Sequence, residues 1–453
     1  MDNNKACKQT KEYATLLFLD VPVGTTIGCD NMSWSSGPLF KGIKMIPPGV
    51  HMFHCTASNE LGDPTTISSS FIYIDNTTSG VGLGEDDEEQ QQQWGRVIIK
   101  KWDPETEEFY PDHVISEQER ESYTLAVRSF EFDKNLAPYP YDGTQLKWTM
   151  MTQHISKTLL DRILPISGII NGDACAFDNE DPANSKTSRK EKKMLDELDE
   201  KLKDFNQKRQ SSSSLSATTT TTTTTSINKK ETEEREGWGV PYFSKIPKQP
   251  KKARGTLTPA EISRWNVDKS DCLKYVLDRY YPGAEREQDI LGEIEFCFVL
   301  FIYGMAWSAF QQWKELVCLF LQCDTIVSEK PALFCSFFKI LKTQLSEAPS
   351  DMFESDLSNK FFIKPLLKSF IESVYSEGTE NVDQALFKSV LELKSFTLEK
   401  FGWDLNLFTL NVPIDSDTLD DINETSRSYY YADNSDDDDD KPVIVDTQDM
   451  QYF

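Results

Sequence analysis

Leu17-Phe18-Leu19-Asp20-Val21-Pro22-Val23-Gly24-Thr25-Thr26-Ile27-Gly28, taken with Lys44-Met45-Ile46-Pro47-Pro48-Gly49-Val50-His51, decides how the chain begins. Short apolar runs stop at Pro and Gly, the residues that fix or free the backbone for turns. No nucleophile, phosphate loop or metal cluster interrupts them. The stretch reads as scaffold, so a docking surface rather than an active site is the expected seat of function.

Working outward, residues 13–73 alternate short β-prone segments (16–20, 50–55, 71–74) with turns such as Pro47-Pro48-Gly49. That spacing predicts an antiparallel sandwich or barrel. An acidic and Gln-rich insertion at 80–93 reads as a disordered loop, after which 96–102 resumes strand composition. Two helices are predicted next: 116–130, opened by the capping box Ser116-Glu117-Gln118-Glu119, and 143–164, stopped by Pro165. A β-rich N-terminal domain is expected over 13–166.

Residues 171–254 cannot build a core. They run from Lys/Glu-rich text through a Ser/Thr tract into the basic 245–254 segment, the composition of a disordered linker. Met194, Leu195, Leu198 and Leu202 fall on one helical stripe, read as a transient helix.

After Thr258-Pro259-Ala260-Glu261, apolar residues step by three and four (Ile290, Ile294, Cys297, Phe298, Phe301, Met305; then Phe310, Trp313, Val317, Phe320), which predicts an all-α bundle or short solenoid over 256–404. Residues 411–453 form an acidic disordered tail with a β-prone end. In it Pro442, Val443, Ile444, Val445 and Asp446 make a segment able to add as a strand to a partner's sheet edge. Folding back onto the chain's own sandwich is the alternative.

Composition narrows the function. The chain has 453 residues, room for at least two domains, and carries 48 basic against 74 acidic residues for a formal net charge of -26. That balance opposes a phosphate backbone, so direct nucleic-acid binding is disfavoured and protein partners are favoured. The N-terminus, charged where a secretion signal would be apolar, predicts no signal peptide. Cys297, Cys318, Cys323 and Cys335 sit in apolar runs, as reduced buried thiols do. The longest apolar run, 296–307, is too short to cross a bilayer, so no membrane span is expected.

Chemistry is sparse. The four His stand at positions 51, 54, 113 and 154, none in the helical part. His51 and His54 are three apart in a β-segment, so they point to opposite faces and cannot share a metal without a bulge. Gly80-Val81-Gly82-Leu83-Gly84 lacks the following Lys-Ser/Thr and runs into acids that would repel a phosphate. No catalytic residue, metal ligand, cofactor or small-molecule substrate is called. The Ser/Thr tract and Thr258-Pro259 are candidate phosphorylation sites, and 245–254 is either an import signal or a solvated linker end.

Several separated segments together resemble the Aar family of cistron-splicing factors: 17–28, 37–51, Pro138-Tyr139-Pro140-Tyr141, Asp289-Ile290-Leu291-Gly292-Glu293, Ala309-Phe310-Gln311-Gln312-Trp313-Lys314 and Phe401-Gly402-Trp403-Asp404. Their order matches as well. The resemblance implies an α+β multidomain protein, with a β-sandwich-like N-terminal domain followed by an all-α VHS-like helical domain. It implies a U5 snRNP assembly chaperone that binds the C-terminal RNase H-like and Jab/MPN domains of the large scaffold protein. Such a factor blocks early helicase and snRNA binding and leaves after phosphorylation and helicase exchange, acting in cytoplasm and nucleus. The insertion at 80–93, the expanded linker and the long acidic tail depart from the pattern. A membrane-trafficking adaptor of the VHS type is the rival reading.

Overall fold

The computed structural model of the chain describes residues 3–58, 64–75, 94–110, 114–141, 143–172, 239–248, 258–348, 363–376 and 383–405. The tail segment Pro442 to Asp446 lies outside these residues, as do the 80–93 insertion, the Ser/Thr tract, the 194–202 stripe and His113. Both structured halves belong to one compact unit, Met1–Phe177 together with Ile227–Phe408.

Among the described residues, ten strands make two five-stranded sheets. The first runs in the order β8 (Glu108–Phe109), β7 (Val97–Asp103), β1 (Ala14–Leu19), β4 (Gly42–Ile46), β9 (Leu136–Pro138). The second runs β10 (Ile170–Asn171), β6 (Pro64–Ile74), β5 (Gly49–Ser58), β2 (Thr26–Cys29), β3 (Met32–Ser35). The sandwich-like expectation holds in that the sheets share a core: Leu16, Phe18, Ile43 and Ile98 of the first meet Ile27, Cys29, Phe53 and Ile74 of the second. The antiparallel expectation fails in the first sheet, where β1 pairs β7, and β4 pairs β9, in parallel. Parallel neighbours need long crossovers, and the text between β1 and β7 and between β4 and β9 is long enough to supply them.

Helix α1 (Asn3–Glu12) precedes β1. The first sheet is also covered on its other face. Leu17, Leu19 and Ile99 pack there against Ile115 and against Tyr123 and Val127 of α2 (Glu117–Arg128). Covering on both faces is why every residue of β1 is buried, with no polar alternation to read. Helix α2 begins at the expected box: Ser116 accepts from the Glu119 amide while the Glu119 carboxylate takes the Ser116 amide.

The long helix expected over 143–164 is two, α3 (Thr144–Met151) and α4 (Lys157–Ile163). Ser156 caps α4 by accepting from the Leu159 amide, so the turn between them is built by local side-chain bonding that competes with helix continuation.

The helical half comprises α5 (Pro259–Val267), α6 (Ser270–Tyr280), α7 (Asp289–Gly304), α8 (Trp307–Leu321), α9 (Thr325–Glu329), α10 (Pro331–Glu347), α11 (Ile363–Ser376) and α12 (Gln384–Phe401). Helix α7 is its axis: from Ile290 to Leu300 every residue is buried, the two acids included. It stops where Met305 takes the left-handed conformation with φ 53°. Met305, counted with the core by its spacing, is 65% exposed, because it caps the helix instead of continuing its stripe. At the end of α12 Gly402 fills the same role at φ 65°, leaving Trp403 buried against Phe401.

The two halves share one hydrophobic cluster. Val50, Met52 and Phe71 on the outer face of the second sheet, with Trp148, Leu159, Leu160 and Ile163 of α3 and α4, pack with Ile290, Phe296, Leu300 and the other helical residues. Residues 239–248, counted with the linker by composition, belong to this body: Val240, Phe243 and Ile246 pack on the same cluster and Ser244 is fully buried. Among the described residues no helix is long and apolar enough to cross a membrane. The cysteines at 29, 55, 272, 297, 318, 323 and 335 are free thiols, all buried except the half-buried Cys318.

Candidate functional site

The polar groups with the shape of chemistry lie at the junction of the two halves and between the sheets. Asp289, Gly292 and Glu293 sit on one face of α7 by the spacing i, i+3, i+4, and Glu295 borders it. That face meets α4 and the turn before it. A Cβ on Gly292 would lie 2.2 Å from the His154 carbonyl oxygen, so only Gly admits this approach. With the backbone this close, Asp289 accepts from Ser156 Oγ at 2.7 Å. Glu295 accepts from the His154 amide at 2.6 Å and from its Nδ1 at 2.8 Å. Burial pushes the Glu295 carboxyl up, and the His154 bonds oppose that shift.

Glu293 is the centre. Its carboxylate, 0% exposed, accepts from Arg162 Nη2 at 2.6 Å, from Ser244 N at 2.8 Å and Oγ at 2.7 Å, and from Gln312 Nε2 at 2.9 Å. Tyr281 OH donates to it as well and receives a bond from Arg162 at 2.8 Å. Burial, then the Glu293 charge, pushes the Tyr281 hydroxyl up, which keeps it a donor. A buried acid needs such saturation, because an unpaired one costs far more than its bonds return.

The partners come from α4, the 239–248 strap, α6 and α8, so the one carboxylate binds four separate stretches of chain. The strap is held further by Tyr242 N donating to Ile163 O at 2.7 Å, by Gln312 donating to Ser244 O at 2.9 Å, and by Asn171 N donating to Gly239 O at 3.2 Å.

Between the sheets, Asp30, His51 and Tyr139 imitate a catalytic triad. Asp30 Oδ2 accepts from Tyr139 OH at 2.6 Å and lies 2.8 Å from His51 Nδ1, while Oδ1 accepts from the Met52 amide at 3.0 Å. His51 Nε2 lies 2.8 Å from the Pro47 carbonyl, which can only accept, so Nε2 carries a proton. The ligand atoms of Cys29, Asp30 and His51 lie within 4.8 Å of one another. They do not suit a metal: both His51 nitrogens are engaged, and burial pushes the Cys29 thiol up, against the thiolate a metal takes. The cluster pins β2, β5 and the segment after β9. Both Asp30 oxygens and both His51 nitrogens are thus engaged in contacts within the fold.

His51 and His54 fall on opposite faces as expected, His51 among the inter-sheet residues and His54 over Gly28, where a Cβ would lie 1.8 Å from its Nε2. Burial lowers the His54 pKa to about 4. Thr258 is an exposed N-cap in a box with Glu261. In the sequence Glu293 stands out as the end of the Asp289–Glu293 motif, and nothing local marks Arg162, Ser244 or Asp30. For Glu293 and Glu295 a signal existed: two acids inside the apolar text of α7, which a buried helix tolerates only when they are paired.

The segments that carry the family resemblance are the ones that make these contacts. Asp289 to Glu293 and Gln312 build the junction, Tyr139 the inter-sheet cluster, Gly28 the seat of His54, and Gly402 a helix end.

The family models described as "AAR2 N-terminal domain" and "AAR2 C-terminal repeat region" match residues 12–165 and 243–406. The chain is 29% identical over 408 residues to the protein AAR2 homolog of Homo sapiens, covering 89% of this chain and 93% of that protein. With the AAR2 homolog of Caenorhabditis elegans it shares 28% identity over 401 residues, covering 87% and 95%. Both structured halves and nearly the whole length of these relatives are matched in order, and the chain belongs to the AAR2 family.

Proposed function

We propose that this chain is a non-enzymatic pre-mRNA splicing factor that assists assembly of the U5 snRNP. It binds the C-terminal RNase H-like and Jab/MPN domains of the large scaffold protein and keeps helicase and snRNA from engaging early. The helical half acts as a VHS-like docking body, and Pro442 to Asp446 add a strand between the two partner domains. The factor meets its partner in the cytoplasm, accompanies it to the nucleus, and is released after phosphorylation.

The observation that carries this reading is the ordered match of both halves to one family. Two further observations support it. The clusters that could have been catalytic are spent on holding the fold, and a net charge of -26 suits a protein partner better than RNA.

The test is a pull-down of the scaffold's C-terminal fragment with the full chain and with Val443→Pro/Val445→Pro. Each Pro removes a ladder donor, so the variant should lose at least about tenfold in affinity. No binding by the parent chain rejects the assignment; equal binding by both rejects the strand alone.

A further inference from the structure

In a chain this acidic, one pocket has the opposite sign. It lies where α1 and α2 end beside β1, β4 and β7, and is lined by Lys11, Lys44 and Arg128, with Trp94, Tyr13 and Phe130 as aromatic walls. Its one carboxylate, Asp133, is already engaged: Lys44 Nζ donates to its Oδ1 at 2.5 Å and to its carbonyl at 3.1 Å. Lys11 Nζ stands 6.0 Å from the centre of the Trp94 ring, and that ring is 5.9 Å from Phe130. Arg128 Nε is buried and has no hydrogen-bond partner.

A buried guanidinium donor without an acceptor is costly unless something supplies one. Water can accept a bond from Nε but does not answer the charge of Arg128 and Lys11, the two cations beyond the Lys44–Asp133 pair. An oxyanion does both, and the low-dielectric aromatic walls strengthen the attraction.

We propose that this pocket binds a compact oxyanion of the phosphate class, held by Arg128 and Lys11 with Lys44 behind them and Trp94 as the side wall. Neither the family match nor the proposed scaffold binding requires such a site.

The opposing account is purely structural. Lys11 and Arg128 stand in the last turns of α1 and α2, where cations are favoured by the helix dipole alone.

The experiment titrates the full chain with inorganic phosphate against sodium chloride at matched ionic strength. Trp94 amide shifts or calorimetry report binding, and thermal unfolding reports the fold. Phosphate should bind, Arg128→Gln and Lys11→Gln should each weaken it about tenfold, as the loss of one charged hydrogen bond does, and Lys274→Gln on a distant surface should not. Failure of phosphate to bind the parent, or binding that Arg128→Gln leaves unchanged while the fold is intact, overturns the proposal. Variants that lose stability although the parent never responds to phosphate leave the helix-end role as the whole explanation.

Discussion

Replacing Glu293 with Gln preserves the shape of the side chain and removes what the junction relies on. The carboxylate receives donors on both oxygens, Ser244 N and Gln312 on Oε1, Arg162, Ser244 Oγ and Tyr281 on Oε2. An amide offers one acceptor oxygen and turns two N–H groups toward donors, so one set of bonds becomes a set of repulsions, and Arg162 loses its counter-charge. Breaking a buried pair by neutralising one partner costs about 3–5 kcal/mol. The Arg162 side chain keeps 21% exposure, and water reaching it places the cost at the lower end, about 3 kcal/mol. At about 2.1 cal/mol/K per residue, a folded body of roughly 280 residues moves Tm by about 1.7 °C for each kcal/mol, so the expected loss is roughly 5 °C.

Differential scanning calorimetry of parent and variant measures that shift, and hydrogen exchange at the Ser244 amide should rise with it. Adding Arg162→Met to Glu293→Gln should cost less than the sum of the two single changes by about 1 kcal/mol or more, since the second change removes a charge the first has orphaned. A Tm within about 2 °C of the parent, with Ser244 still protected, would refute the idea that one carboxylate clamps the strap and both halves.

Further expectations follow from the same structure. His54 is lowered to about 4 in the fold against 6.5 when unfolded, so the unfolded chain binds the extra proton between those values and stability falls as pH drops from about 6.5 to 4. The difference between parent and His54→Gln should change by about 3 kcal/mol across that window, and urea unfolding at pH 7.5 and 4.5 that shows parallel losses in both proteins would contradict it. Because Asn171 and Gly239 are joined by a backbone hydrogen bond of 3.2 Å, excising residues 178–226 shortens a loop whose ends are already together. Stability should change by less than about 1 kcal/mol, and a fall in Tm of more than a few degrees would show that the excised text takes part in the fold.

Much of the architecture was legible where a local rule decides it. The capping box at Ser116, the helix opening at Thr258 and the apolar period of α7 and α8 follow from hydrogen bonding and sterics within a few residues. The pairing of β1 with β7 and of β4 with β9 in parallel was not, because register between distant strands is set by which faces they bury. β1, buried on both, shows no alternation to read. The break between α3 and α4 was missed for a related reason: Ser156 caps a new helix and the turn turns His154 toward Glu295, a partner 141 positions away.

By itself the sequence determined the division into a β-rich and a helical half, the acidic character, and the set of short motifs that identify the family, all properties of composition and near-neighbour spacing. Tertiary structure alone decided that the halves form one body, that 239–248 is a buried strap, and that Glu293, Arg162, Ser244, Tyr281 and Gln312 converge. A carboxylate in an apolar helix is stable only if donors arrive from elsewhere, and which stretches of chain supply them depends on how whole elements pack, information that no window of residues contains.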